Sequence, residues 1–123
     1  MNKENAELEF LDSQARMLVE QLENVDASLM EIEYLRSSID ELKGMKEGSD
    51  ILAPMSSGIF IKAKLSNSNA LLMNVGNSVV VEKSAEDTKK LLDARIVEIS
   101  EVREKLLLQL QKIDERLKQL GER

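Results

Sequence analysis

The sequence predicts an α+β fold in which two β-hairpins are inserted between the helices of a long antiparallel coiled coil. Apolar residues follow heptad spacing on both sides of a central segment, and that segment is rich in β-branched residues and holds the only proline. A chain of 123 residues suits one domain. We predict a first coiled-coil helix at 4–43, two β-hairpins at 50–83 and a second coiled-coil helix at 85–121.

The first helix is indicated by apolar residues whose spacing alternates between three and four. This a/d seam contains Leu8, Leu11, Ala15, Leu18, Leu22, Val25, Leu29 and Ile32. The next apolar positions are Leu35, Ile39 and Leu42. The second spacing of three after Ile32 predicts a stammer, and Arg36 takes the a position of the undisturbed register. Gly44 and Gly48 are expected to end the helix, because glycine accepts a left-handed cap.

The central segment predicts four short strands, because apolar residues alternate between turn-forming clusters. One side of the second strand carries Ile59 and Ile61, and the other carries Phe60 and the lysines. We expect the first hairpin to turn at 54–58 and the second at 76–77, with the Ser/Asn run at 66–69 joining the two hairpins.

The second helix is expected to begin after Ser84, an N-cap residue followed by Glu86 and Asp87. Its seam contains Leu92, Ile96, Ile99, Arg103, Leu106, Leu110, Ile113, Leu117 and Leu120. The two seam arginines, Arg36 and Arg103, are expected to keep their stems on the seam and their charges in water. Because the helices match in length, they should fold back on each other with the two chain ends together.

Composition excludes several function classes. The chain has neither cysteine nor histidine, which removes thiol nucleophiles, imidazole bases and the usual transition-metal ligands, so we expect neither an enzyme nor a cofactor. The net charge is −6 with no basic stripe, which argues against nucleic acid. No apolar run approaches the roughly 20 residues of a membrane span. We expect a cytoplasmic protein without a membrane partner.

A two-helix coil buries its seam and meets the hairpins at one end only. It cannot cover both faces of four apolar strands, and open sheet edges invite pairing with another chain. We therefore expect an oligomer built through the β segments.

The residues resemble the α-class subunit of the prefoldin family along nearly the whole chain. The resemblance rests on Ile-Leu-Ala-Pro-Met at 51–55, Ile-Lys-Ala-Lys-Leu at 61–65, Val-Gly at 75–76, and Val-Val-Val-Glu-Lys-Ser-Ala-Glu-Asp at 79–87. Ala53 and Met55 depart mildly, since the family usually has bulkier or differently branched aliphatic residues there.

The resemblance implies an assembly and a function. Two α-class subunits would join four β-class subunits in a hexamer with a double β-barrel body and six coiled coils. Such a hexamer would capture non-native client proteins between the coil tips without ATP hydrolysis and pass them to a group II chaperonin.

Apolar side chains that the seam does not use are the candidates for client binding. In the register where Leu8 is an a position, Phe10 and Met17 are c positions, and Phe10 is the best single candidate. Fraying of the helix ends would add Leu8, Leu11, Leu117 and Leu120. Ordinary seam packing is the competing interpretation for Leu8 and Leu120. For Phe10 and Met17 the competing interpretation is that scattered exposed apolar residues are normal and have no function.

Assembly is assigned to apolar residues of the hairpins. The predicted oligomerisation residues are Ile51, Leu52, Ile59, Phe60, Ile61, Leu65, Leu72, Val79, Val80 and Val81. Two alternatives to the client-binding function remain at this point. The chain could assemble with itself into filaments through its sheet edges, or its coil could act as a scaffold that pairs with partner helices.

Overall fold

The computed structural model of the chain describes residues 2–121 and has two compact units. The elements in chain order are α1 (Lys3–Lys43), β1 (Asp50–Ser56), β2 (Ile59–Lys64), β3 (Ala70–Gly76), β4 (Val79–Ser84) and α2 (Ala85–Gly121). Two antiparallel hairpins therefore lie between two long helices in the chain, and the predicted fold class is confirmed. The predicted β-barrel body would need strands from several chains.

One unit contains residues 2–32, nearly all in α1, and residues 95–121 of α2. Its helices are antiparallel, because Glu7 near the start of α1 pairs with Arg116 near the end of α2, and Asp26 pairs with Arg103. Leu18 and Leu120 are buried, and the other seam leucines are half-buried. A pair of helices has few fully enclosed positions, so the seam leaves much of each helix exposed.

The other unit, Glu33–Ala94, holds both hairpins and the adjoining ends of the helices. Strand β1 pairs with β2, and β3 pairs with β4. Each hairpin turns through two residues with positive φ, Ser57 and Gly58 in the first and Asn77 and Ser78 in the second. Positive φ at both central residues is the geometry of a type I′ turn, which matches the twist of the flanking strands.

The first turn lies at the end of the predicted 54–58, and the second lies one residue after the predicted 76–77. Pro54 lies inside β1 and pairs with Phe60, while Gly76 lies at the end of β3 and pairs with Val79. Gly76 is needed at φ 111° beside a register shift, and its N–H donates to the Asn74 side chain at 2.9 Å. The glycine thus serves a β-bulge rather than the turn itself.

The two hairpins are structural repeats of each other. Residues 50–64 and 70–84 have strands of the same lengths, the same two-residue turn and a register shift at the same place, with an offset of 20 residues. The repeat puts Lys62 and Glu82 at equivalent positions, opposite Leu52 and Leu72 respectively. The two hairpins of one chain therefore carry opposite charges at this equivalent position.

The predicted stammer in α1 is wrong at its first position. Leu35, which the stammer would place on the seam, is 48% exposed, whereas Arg36 is half-buried. The seam therefore passes through Arg36 at this turn, and further along α1 Leu42 is half-buried while Lys43 is exposed. The Arg36 guanidinium stays at the seam because Nε donates to Oδ1 of Asp93 on α2 at 2.5 Å.

A small buried group marks the junction of α2 with the hairpins. It comprises Ile39, Ala85, Thr88 and Leu92. The Thr88 hydroxyl donates to the carbonyl of Ser84 at 2.8 Å, so this buried polar group is satisfied. The Ser84 hydroxyl accepts from the N–H of Asp87 at 3.1 Å, which confirms the predicted N-cap.

Candidate functional site

Two predicted client-binding residues present apolar surface on α1. Phe10 is 62% exposed, and Met17 is exposed one heptad later on the same side of the helix. Neither contributes to the seam, whose residues are buried or half-buried around them. These two side chains are available to a partner without any change in the coil.

The seam residues named as client candidates are less accessible. Leu8, Leu11 and Leu117 are half-buried, and Leu120 is buried with 7% of its surface exposed. The structure thus places Leu120 in the seam, and a client could reach it only if the helix ends opened. A role for these four residues in binding stays a prediction.

A cleft beside the seam joins the predicted client residue Leu117 to apolar surface outside the predicted site. It has a volume of about 500 Å³ and is lined by Ala15, Leu107, Leu110, Gln111, Asp114 and Leu117. Alanine at an a position leaves room between the helices, where a leucine would fill the seam. Ala15 was the sequence signal for this cleft, together with Leu107 at the adjacent e position.

Near the chain ends, a bidentate ion pair between Glu7 and Arg116 joins α1 to α2. Arg116 donates from Nε to Glu7 Oε1 at 2.7 Å and from a terminal nitrogen to Oε2 at 3.2 Å. The hydrogen bond to Glu7 raises the pKa of Arg116 above its ordinary value. Bidentate arginine–carboxylate pairs have a well-defined geometry, so this contact fixes how the two helices meet near the chain ends.

Most predicted oligomerisation residues are exposed in the single chain. The exposed ones are Leu52, Ile59, Phe60, Ile61, Leu72, Val79 and Val80, and the half-buried ones are Ile51, Leu65 and Val81. Leu72 reaches 76% exposure. Large apolar side chains grouped on two small sheets are typical of an interaction surface rather than of solvated loops.

Sequence reasoning missed two members of this surface. Met55 and Val75 are exposed, and both lie at the register shift of their hairpin. A bulge residue has no partner on the opposite strand, and its side chain departs from the regular alternation. Alternation groups Val75 with Leu71 and Met73, which are half-buried, whereas Val75 is exposed.

Where the helices adjoin the hairpins, three ion pairs form a ladder between α1 and α2. Arg36 pairs with Asp93, Asp40 with Lys89 and Lys43 with Glu86, at N–O distances of 2.5, 2.5 and 2.6 Å. The sign of the charge alternates along each helix. A slip of one helical turn would put Arg36 opposite Lys89, and Asp40 opposite Glu86. The ladder therefore disfavours wrong registers by like-charge repulsion.

The ion pairs of the ladder also shift the pKa values of the groups that form them. The hydrogen bond from Lys89 is the main reason why the pKa of Asp40 is below its usual value, and the bond from Lys43 does the same to the pKa of Glu86. On the basic side, the hydrogen bond to Asp93 raises the pKa of Arg36. A lowered carboxyl pKa in the folded state contributes stability above the unfolded pKa, and that contribution is lost as the pH falls through the folded pKa.

We therefore predict an acid-sensitive coil. The melting temperature should fall as the pH is lowered from about 5 to about 3, because Asp40 and Glu86 lose their charges. The D40N/E86Q variant should melt lower than the wild type at neutral pH and should lose less on acidification. Thermal melts followed by helical circular dichroism, at one fixed protein concentration, measure both effects.

The matched control for this prediction is E104Q, which neutralises an exposed carboxylate of α2 outside the ladder. It should retain the acid dependence of the wild type. If D40N/E86Q lost stability with acid as steeply as the wild type, the ladder would not be the source of the sensitivity.

The profile of the family described as "Prefoldin subunit" matches residues 11–123. The chain belongs to the prefoldin family. The prefoldin fold also appears in a solved structure, the cryo-EM structure of filamentous PFD from Methanocaldococcus jannaschii, with a TM-score of 0.83. That alignment covers 96% of this chain and 98% of the other at 19% identity, so it establishes the fold. No curated protein matches the sequence.

Membership in the prefoldin family has consequences for function. The family is of the chaperone type and non-enzymatic, and it indicates that the chain assembles with prefoldin subunits. Among residues 2–121, no helix is long and apolar enough to cross a membrane. Within that same part of the chain, no group of three or more carboxylates is arranged to hold a metal ion.

Proposed function

We propose that this prefoldin subunit is an ATP-independent holdase that captures non-native proteins on its coiled coil and passes them to a group II chaperonin. The observation that carries the proposal is the exposure of Phe10 and Met17, apolar residues that the seam does not use. Non-native chains expose apolar segments, and burial of apolar area stabilises their complex by about 25 cal/mol per Å². We also propose that this work takes place in the cytoplasm.

We further propose that the chain is an α-class subunit, and that two copies join four β-class subunits. Each chain carries two hairpins with exposed apolar residues, so it offers two separate surfaces for assembly. A single two-stranded hairpin is marginal in water, and pairing with strands of other subunits would stabilise it. This supports the hexamer with a β-barrel body that the resemblance implies.

The solution mass tests the assembly proposal. Light scattering should be measured on the chain alone and after mixing with a single-hairpin β-class subunit. A defined complex of two plus four subunits is the expected result. That complex should then slow the aggregation of a chemically denatured client without ATP. A complex that protects no client would overturn the holdase proposal.

Self-assembly into filaments is the second candidate function. It is supported by the repeat of the two hairpins, which presents opposite charges, Lys62 and Glu82, at equivalent strand positions, so that these two residues of different copies could pair. The similar solved structure is itself a filamentous assembly. Large homomers that ignore the β-class subunit would favour this candidate over the hexamer.

Phe10→Ser should weaken client protection without lowering assembly. The change removes a large exposed apolar side chain, and its expected effect is about a tenfold loss of affinity for a denatured client. Aggregation suppression, titrated against subunit concentration, measures this loss. The matched control is Tyr34→Ser, which removes another exposed aromatic residue of α1. Protection equal to that of the wild type would remove Phe10 from the site.

A further inference from the structure

One flank of α1 carries no charge over five helical turns. The c and g heptad positions from Phe10 to Ser28 are all exposed, and they are Phe10, Gln14, Met17, Gln21, Asn24 and Ser28. Charged residues make up 33% of the whole chain. The e and b positions over the same length include Glu9, Asp12, Arg16, Glu23 and Asp26. The uncharged flank spans about 27 Å at 1.5 Å per residue.

The c and g positions of α2 lie on the same side of the coil as this uncharged flank. Two contacts show this: Glu7 pairs with Arg116, and Asn24 and Ser28 line a cleft of about 200 Å³ with Val102. Counting helical turns between the two contacts puts Lys105 about level with Gln21, and Lys112 about level with Gln14. Both lysines are exposed.

We propose that this face of the coil docks acidic, apolar segments of non-native polypeptides. The c/g face is defined here as the uncharged flank of α1 together with Val102, Lys105, Gln109 and Lys112 of α2. The proposal rests on the holdase function proposed above and names the class of client that this face prefers. Apolar side chains of the client would pack on Phe10, Met17 and Val102, and its carboxylates would pair with Lys105 and Lys112.

The amide side chains of the c/g face suit a partner without regular structure. An unfolded segment brings peptide N–H and C=O groups that need partners once water is displaced. Each glutamine or asparagine offers both a donor and an acceptor, so Gln14, Gln21 and Asn24 can satisfy either group. A carboxylate at these positions could only accept, and it would repel an acidic client.

The opposite side of the coil does not share this character. Ala15, Leu107 and Asp114 line the larger cleft there. The basic side chains on that side are already paired with carboxylates, Arg16 with Asp12 and Lys118 with Asp114. That side should therefore attract acidic clients less than the c/g face does. The charge of a client would decide which side of the coil it occupies.

The test uses the assembled complex and two fluorescent peptides that differ only in charge. Both have the same apolar residues, with glutamates in one and lysines in the other. Fluorescence anisotropy should show that K105E/K112E lowers the affinity for the acidic peptide about tenfold and does not lower the affinity for the basic peptide. The matched control K118E changes an exposed lysine of α2 at a b position on the opposite side. It should leave the affinity for the acidic peptide unchanged.

A second variant covers the case in which the first does not assemble. Q14E/Q21E keeps side-chain size and helix propensity, and it should lower the affinity for the acidic peptide several-fold. The proposal is overturned if neither variant affects the acidic peptide, if both peptides weaken equally, or if K118E matches K105E/K112E. If the wild-type complex protects clients but binds the acidic and the basic peptide equally well, the docking face is overturned and the holdase function stands. If the wild-type complex binds neither peptide, both proposals are overturned.

Discussion

Leu72→Lys is expected to weaken subunit association at least about a hundredfold, because a leucine that should be covered by another subunit becomes an ammonium group. Leu72 is 76% exposed in the single chain, and full burial of a leucine side chain is worth about 1.5–3 kcal/mol. Burying an unpaired lysine in its place opposes association further. Light scattering over a dilution series measures the change in mass.

The matched control for Leu72→Lys is Met30→Lys on α1. Met30 is 71% exposed and lies outside the hairpins, and lysine is about as good a helix former as methionine. Its assembly should follow the wild type. If Leu72→Lys kept the mass of the wild type on dilution, the exposed face of the second hairpin would not be an assembly surface.

Ile39→Ala is expected to lower the free energy of unfolding by about 2–5 kcal/mol through lost burial and a residual cavity. Ile39 is 3% exposed and belongs to the small buried group next to the hairpins. Few residues of the described chain are so fully buried. Chemical denaturation at one fixed subunit concentration gives the difference.

The control for Ile39→Ala is Val97→Ala, since Val97 is exposed on α2. An exposed substitution of this kind should change stability by about 0.5 kcal/mol or less. Equal stability of Ile39→Ala and the wild type would show that the heptad register does not pass through Ile39 as the structure has it.

Heptad counting predicts which client-binding candidates are exposed, but it does not predict the shape of the surface around them. The c positions of Phe10 and Met17 placed them off the seam, and both are exposed. The same counting could not give the cleft beside Ala15, because its depth depends on which α2 residues lie opposite an alanine. The exposure of Leu8 and Leu117 likewise depends on how the chain ends meet, which the Glu7–Arg116 pair decides.

The hairpin surface divides in the same way. Alternation along the strands identified Leu52, Phe60 and Leu72 as candidates, because the side-chain period of a strand is a local property. The bulges moved the turns to 57–58 and 77–78 and exposed Met55 and Val75. A bulge is set by the pairing of two strands rather than by either strand alone.

Two heptad helices, the two hairpins between them and the Ser84 cap could be predicted from neighbouring residues, because the side-chain periods of helices and strands are local properties. The seam around Arg36 depends instead on contacts between the two helices. Apolar spacing favoured Leu35 there, yet Arg36 stays at the seam because Asp93, 57 residues away, neutralises it. A residue's place in a coil depends on the facing helix, and that partner is fixed only when the chain folds back.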